Sequence, residues 1–170
     1  AARKAQESRD PREIPPGNYT VILEPAAVLD LLGFLFLDFG GLAIHEQRSC
    51  LTGRLGEKLL GDNINVRDDV YHPSQAGAPF DGEGVPRQRV TLIEKGVVKN
   101  VVYSRQTAHK MRAEPTGHGF PLPNEIGEAP MNIVMEGNRT SVEEMIRTTP
   151  RGLLVTRLWY IREVDPYQKI

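Results

Sequence analysis

The chain has 170 residues, of which 39% are hydrophobic and 25% charged, with a formal net charge of -1. That is room for one domain with a core, and the near-neutral balance with no basic tract excludes an obligatory polyanionic partner such as nucleic acid or an acidic membrane surface. A single cysteine, Cys50, excludes an internal disulfide framework and fits a reducing compartment, or a secreted chain without bridges.

In chain order, "AARKAQESRDPREIPPG" is polar, of mixed charge, and has no apolar run of signal-peptide type, so residues 1–17 read as a linker. "NYTVILEP" alternates Tyr19, Val21 and Leu23 against Thr20 and Ile22, which predicts a strand with one strongly apolar face. "AAVLDLLGFLFL" is apolar on most sides and predicts a buried helix ending at Gly40-Gly41. The apolar run 26–44 approaches spanning length, but Asp30 and Asp38 would each cost roughly 2.5–3.5 kcal/mol at the centre of a bilayer, and three glycines interrupt it. A core helix of a cytoplasmic protein is the better reading. "LAIHEQRSCLTGRLGEKLL" predicts one amphipathic helix that breaks into a loop at Gly53 and Gly56, and "NINVRDD" a strand with Ile64 and Val66 on one face.

The glycine- and proline-rich stretch 70–88 predicts a long loop. In "RVTLIEKGVVKNVVYSR" two β-branched runs flank Lys95-Gly96, the pattern of a tight hairpin whose glycine supplies a positive φ. A second loop covers 113–130, followed by a strand in "MNIVMEG". Thr140 and Ser141 each precede a glutamate by three residues, a capping-box pattern for a short helix that stops before Pro150. The last predicted strand, "LLVTRLWYIREV", places Leu153, Val155, Arg157, Trp159 and Ile161 on one side, with Trp159 and Tyr160 read as core and interface residues. Together these elements predict an α+β fold: a mainly antiparallel sheet, as a partly open barrel or a sandwich, with the buried apolar helix and one or two further helices.

"HEQRSC" invites a zinc reading, with His45 and Cys50 as ligands and Glu46 as the catalytic base. On a straight helix, however, the residue four after His45 is Ser49, and Cys50, five after it, lies about 140° around the helix from His45. A surface His-Glu pair and a buried thiol account for the same residues. His72, His109 and His118 show no short ligand spacing, so each reads as a solvated or hydrogen-bonded histidine. "GRLGEK" does not run into a phosphate-binding helix, and no Gly-x-Ser-x-Gly elbow occurs. The acid pairs Asp68-Asp69 and Asp81-Glu83 could bind a cation, or could cap strand ends and organise loops.

The run "PFDGEGVPRQRVTLIEKGVVKNVVYSRQTA", with "TGRLGEKLLGDNINVRDD" before it and "RGLLVT" after it, resembles the TldD/PmbA family, once called modulators of DNA gyrase. The resemblance extends from about Tyr19 onward. It implies that residues 18–170 are the first part of the family's C-terminal domain, with an α/β domain before and further strands after. It also implies a cytoplasmic peptide-degrading or peptide-processing complex, in which a TldD-type zinc subunit pairs with a PmbA/TldE-type subunit and an unfolded peptide lies as an extended strand against a sheet. The zinc motif of TldD types is His-Glu-x-x-x-His followed by glycines, with a cysteine further downstream. Counting back from Thr52-Gly53 places that motif over residues 32–37, "LGFLFL", which holds no ligand, so the resemblance implies a non-catalytic subunit without zinc of its own. A TldD-like subunit or a second copy is then the expected partner, and neither a nucleic acid nor a membrane is. The alternatives are a zinc peptidase with a displaced His45, Glu46 and Cys50 site, and a binding module acting on gyrase or a toxin system. Gly84-Val85-Pro86 and the hairpin strand 89–94 are the expected peptide-facing parts; the alternative is that the glycine and proline only shape a turn.

Overall fold

The computed structural model describes residues 2–137 and 139–165. Ala1 of the expected linker, Asn138 ahead of the expected capping box, and 166–170 of the expected domain lie outside the described residues. The elements are α1 (Ala2–Glu7), β1 (Thr20–Leu23), α2 (Pro25–Leu32), α3 (Gly41–His45), β2 (Val66–Asp68), β3 (Val90–Glu94), β4 (Val97–Val98), α4 (Arg105–Met111), β5 (Ile133–Met135), α5 (Val142–Thr148) and β6 (Gly152–Val155). The fold is α+β. An antiparallel sheet runs in the order β4-β3-β2-β5, β1 and β6 form a separate parallel pair, and no closed barrel forms among the described residues.

The hairpin between β3 and β4 turns at Lys95 (φ 48°) and Gly96 (φ 76°), the two positive values that a two-residue turn needs to match the strand twist. Gly96 also lies under the chain at Leu60, whose amide and that of Leu59 both donate to its carbonyl. α5 begins where the capping pattern predicts: the Ser141 hydroxyl accepts the Glu144 amide at 3.1 Å.

The core gathers on one face of the four-stranded sheet, where Val66, Val90, Leu92, Ile93 and Val98 pack with Phe39, Leu51, Val101 and Val102. The other face is charged. Arg67 bridges to Asp69 and Glu136, and Arg89 donates to Asp69 at 2.9 Å. The pairing with β3 shifts by one between Val66 and Arg67, where Leu92 is the extra residue of a bulge.

Several expected elements are shorter than the pattern predicts, and each has a local cause. The expected buried helix is not one. α2 stops at Leu32, gives way to 3₁₀ turns at Gly33–Leu35 and Leu37–Phe39, and buries only Ala27, with Leu29 53% and Leu37 55% exposed. A helix apolar on most sides can turn only one of them to the core. Its outer flank instead walls an apolar groove of about 430 Å³ with Ile133, Met135, Val142 and Met145. α3 ends after five residues because Gln47 takes a left-handed conformation (φ 57°), so 42–60 is mostly turns and not one amphipathic helix. The last strand is 152–155, which takes in only 153–155 of the expected 153–164, and it pairs in parallel with β1. Beyond it Trp159 (91% exposed) and Tyr160 lie on the surface and are not core residues. Residues 2–7 of the expected linker form the exposed helix α1. α4, which the sequence pattern does not predict, follows the expected hairpin of 89–105 and precedes the loop at 113–130; Ser104 caps it by accepting the Thr107 amide, and Arg112 closes it in the left-handed region.

Candidate functional site

The sheet and helices converge on three loop segments: 79–88, 113–119 and 128–132. The first is built on Asp81, whose Oδ1 accepts the amides of Glu83 and Val85 at 2.9 Å each and whose Oδ2 accepts that of Gly119 at 2.8 Å. The Asp81 amide donates to the Val85 carbonyl, and Gly84, at φ 74°, makes the reversal between them. Gly84-Val85-Pro86 is therefore the fixed tip of a tight loop, with Gly84 and Pro86 exposed and Val85 half-buried. Beside it lies an open concavity of about 720 Å³, lined by Gly82, Glu83, Arg105, Gln106, Pro121 and Leu122. Glu83 closes that wall, since its Oε2 accepts the Arg105 amide at 2.7 Å while Arg105 Nη2 donates back to the Glu83 carbonyl.

Asp68 lies beneath this loop and is fully buried. On β2 it shares the core-facing side with Val66, so a carboxylate occupies an apolar position and requires partners. Its Oδ2 accepts the Met131 and Asn132 amides at 2.7 and 2.8 Å. Its Oδ1 accepts Arg87 Nη2 at 3.1 Å and lies 3.0 Å from His118 Nε2. His118 Nδ1 in turn meets the Thr116 hydroxyl at 2.9 Å. Burial alone would raise the Asp68 pKa, but the contact from His118, the Asn132 amide and the charges of His118 and Arg87 outweigh it and hold the group below its ordinary value. Asp69 behaves similarly: burial acts to raise its pKa, and Arg89, the Tyr71 amide and Arg67 together bring it lower.

These shifts predict the acid limb of stability. With native pKa values below the unfolded ones, the unfolded chain binds more protons as pH falls through the carboxylate range, and stability drops there. The stabilisation is fully present above about pH 5 and is lost progressively below about pH 4. Urea midpoints measured from pH 2.5 to 6 should show this fall, and Asp68→Asn should flatten it.

A second buried carboxylate, Glu128 (1% exposed), joins two helix starts. It accepts the Leu42 amide at 2.6 Å at the start of α3, and the Ser104 amide at 3.2 Å and Thr107 hydroxyl at 2.9 Å at the start of α4. It satisfies amides that helix ends leave without intrahelical partners.

The structure does not assemble the predicted metal residues. His45 is exposed at the end of α3, Glu46 pairs with Arg48 at 2.6 Å, and Cys50 is half-buried in the wall of a separate apolar cavity with Phe39, Leu51 and Ile93. Among the described residues no three His, Cys, Asp or Glu side chains form a group that could hold a metal ion. As placed, His45, Glu46 and Cys50 do not converge on one point. His72 accepts the Ser74 amide within its own loop, His109 is exposed on α4, and both acid pairs are occupied by protein donors. No helix among the described residues is long and apolar enough to cross a membrane. Sequence reasoning missed the partners of Asp68 and all of Glu128. The available signal was the period-two parity of Val66 and Asp68.

Comparison with known proteins supplies the class first. The family model described as PmbA/TldA metallopeptidase C-terminal domain matches residues 16–169. TldE from Thermococcus kodakarensis superposes with a TM-score of 0.83 at 28% identity, covering 98% of this chain and 39% of that one. A Thermotoga maritima protein described as a candidate modulator of a DNA gyrase superposes with a TM-score of 0.84 at 32% identity, over 92% of this chain and 36% of that one. Metalloprotease PmbA of Escherichia coli O157:H7 is 26% identical over 92% of this chain and 33% of its own length. The chain belongs to the PmbA/TldD family, and it spans about a third of the length of these relatives.

Proposed function

We propose that this chain is part of a PmbA/TldE-type subunit of a cytoplasmic peptide-degrading or peptide-processing complex, paired with a TldD-type subunit that carries the zinc. In this reading residues 1–17 lead into the first part of the C-terminal domain, which supplies a cavity wall and an assembly surface. The observation that carries it is the content of residues 32–37. At the register of the family's zinc motif stand Leu32, Gly33, Phe34, Leu35, Phe36 and Leu37, none of which can bind a metal. They form the end of α2 and its 3₁₀ continuation, partly buried at Phe34, Leu35 and Phe36. Such side chains contribute to packing and cannot activate water. The scatter of His45, Glu46 and Cys50 argues in the same direction, and the similarity to a TldE structure supports the subunit type. Peptide contact is assigned to Gly84-Val85-Pro86 and β3 beside the concavity at Glu83 and Leu122.

Elemental analysis of the complete polypeptide, purified without chelator, tests this proposal. Alone it should hold well under one zinc per chain, and in complex with a TldD-type subunit the zinc should track the partner. One zinc per chain, lost in His45→Ala and Cys50→Ala, would establish the displaced-site peptidase instead. Recovery of a topoisomerase without a TldD-type partner in a pull-down would favour a gyrase-directed binding module.

A further inference from the structure

We propose that Asp68 is the positioning residue of the Gly84-Val85-Pro86 loop, the buried joint through which the sheet sets where that loop presents itself to a peptide. The proposal rests on the peptide-facing reading of the loop given above.

One carboxylate reaches all three loop segments. Arg87, directly after Pro86, donates to Oδ1, His118 lies against the same oxygen, and the Met131 and Asn132 amides donate to Oδ2. Arg87 is nine-tenths buried; among the described residues Asp68 is the sole acceptor of its guanidinium, and its buried Nε meets no partner. The segments also interlock. Gly119 donates to Asp81, Gly82 donates to the Gly119 carbonyl, Gln88 donates to the Thr116 carbonyl, and Tyr71 donates through its hydroxyl to the Arg87 carbonyl. Because Asp68 is part of β2, its anchor is the sheet itself, while Glu83 gives the loop a second link, to the start of α4.

The two oxygens are ringed by donors on both sides, which makes Asp68→Asn an informative change. Whichever way the new amide turns, its NH₂ faces either the Arg87 guanidinium or the two backbone amides, so donor meets donor. The side chain keeps its volume and the apolar core is untouched. Arg87→Met is the second variant. It removes only the link to the loop and leaves the bonds to 131–132, and it remains informative if Asp68→Asn fails to fold.

The experiment uses the complete polypeptide assembled with its TldD-type partner. Amide hydrogen exchange is followed residue by residue, and affinity is measured by anisotropy with a fluorescein-labelled unstructured decapeptide. Both variants should speed exchange at 84–88 and 117–119 at least tenfold more than at Leu92 and Val98 in the core, and both should weaken the decapeptide at least tenfold. Combining them should weaken it little further than Asp68→Asn alone, since the two act through one contact. Exchange that speeds uniformly, or loop amides that do not change, would overturn the positioning role. Loosened loops with unchanged decapeptide affinity would overturn the peptide-facing reading, and with it any role of Asp68 in recognition.

Discussion

Asp68→Ala is expected to destabilise the domain by about 3–5 kcal/mol, the usual consequence of removing one member of a buried ion pair. The loss is not that of a favourable contact alone. Alanine would leave the nine-tenths-buried Arg87 guanidinium without its acceptor and strand the Met131 and Asn132 amides in a site closed to solvent. Domains of this size retain only about 5–15 kcal/mol in total, so the variant should be marginal at 37 °C. Equilibrium unfolding in urea measures it directly. A loss below about 1 kcal/mol would mean that water or a rearranged Arg87 replaces the carboxylate, and the three loops would then be held by their mutual hydrogen bonds.

Gly117→Ala should be nearly as damaging, for a different reason. Gly117 sits at φ 73°, and a β-carbon built there would meet the Pro86 carbonyl oxygen at 2.2 Å and the Pro86 carbonyl carbon at 2.6 Å. The left-handed backbone costs roughly 1 kcal/mol for a non-glycine residue. The contact is with backbone, which no side-chain rotation can relieve, so the chain at Pro86-Arg87 must move. Gly53 is the natural control because it has a similar φ of 76° and nothing within 4 Å of its added carbon. Gly53→Ala should therefore cost only about the dihedral penalty, while Gly117→Ala should cost several times more and, if the Pro86 tip faces a peptide as proposed, weaken that binding as well. Matching melting temperatures for the two variants would show that the 86–87 backbone yields freely.

The two features most legible in the sequence were those with local causes. Lys95-Gly96 between β-branched runs could be little but a hairpin, and Ser141 three residues before Glu144 could be placed at a helix start, because each motif satisfies its own hydrogen bonds within a few residues. The extent of α2 was not legible in this way. Its apolar content is real, but which side meets the core depends on elements far along the chain, and Leu29 and Leu37 face outward as a result. The candidate site divides similarly. The Gly84-Val85-Pro86 turn was visible as a loop, and the position of Asp68 beside Val66 could have marked it as a buried charge. Glu128 could not have been found, since its acceptor role joins Leu42, Ser104 and Thr107 from distant parts of the chain. The family resemblance implied a zinc-motif register over 32–37, whereas the identity of the residues beneath the loop came only from their packing.

The parallel pairing of β1 with β6 bears on how the domain is made. Thr20 lies opposite Gly152, so that clasp closes a loop on the order of 130 residues. Emerging from the ribosome, β1 precedes its partner β6 by most of the described chain, whereas the β3-β4 hairpin can close as soon as it is exposed. For that interval Val21 and Ile22 form an open apolar edge of the kind that invites pairing with another nascent chain. The slow step in forming this segment is then expected to be the meeting of β1 with β6, and a cell producing this protein has reason to keep that edge shielded until Val155 has emerged.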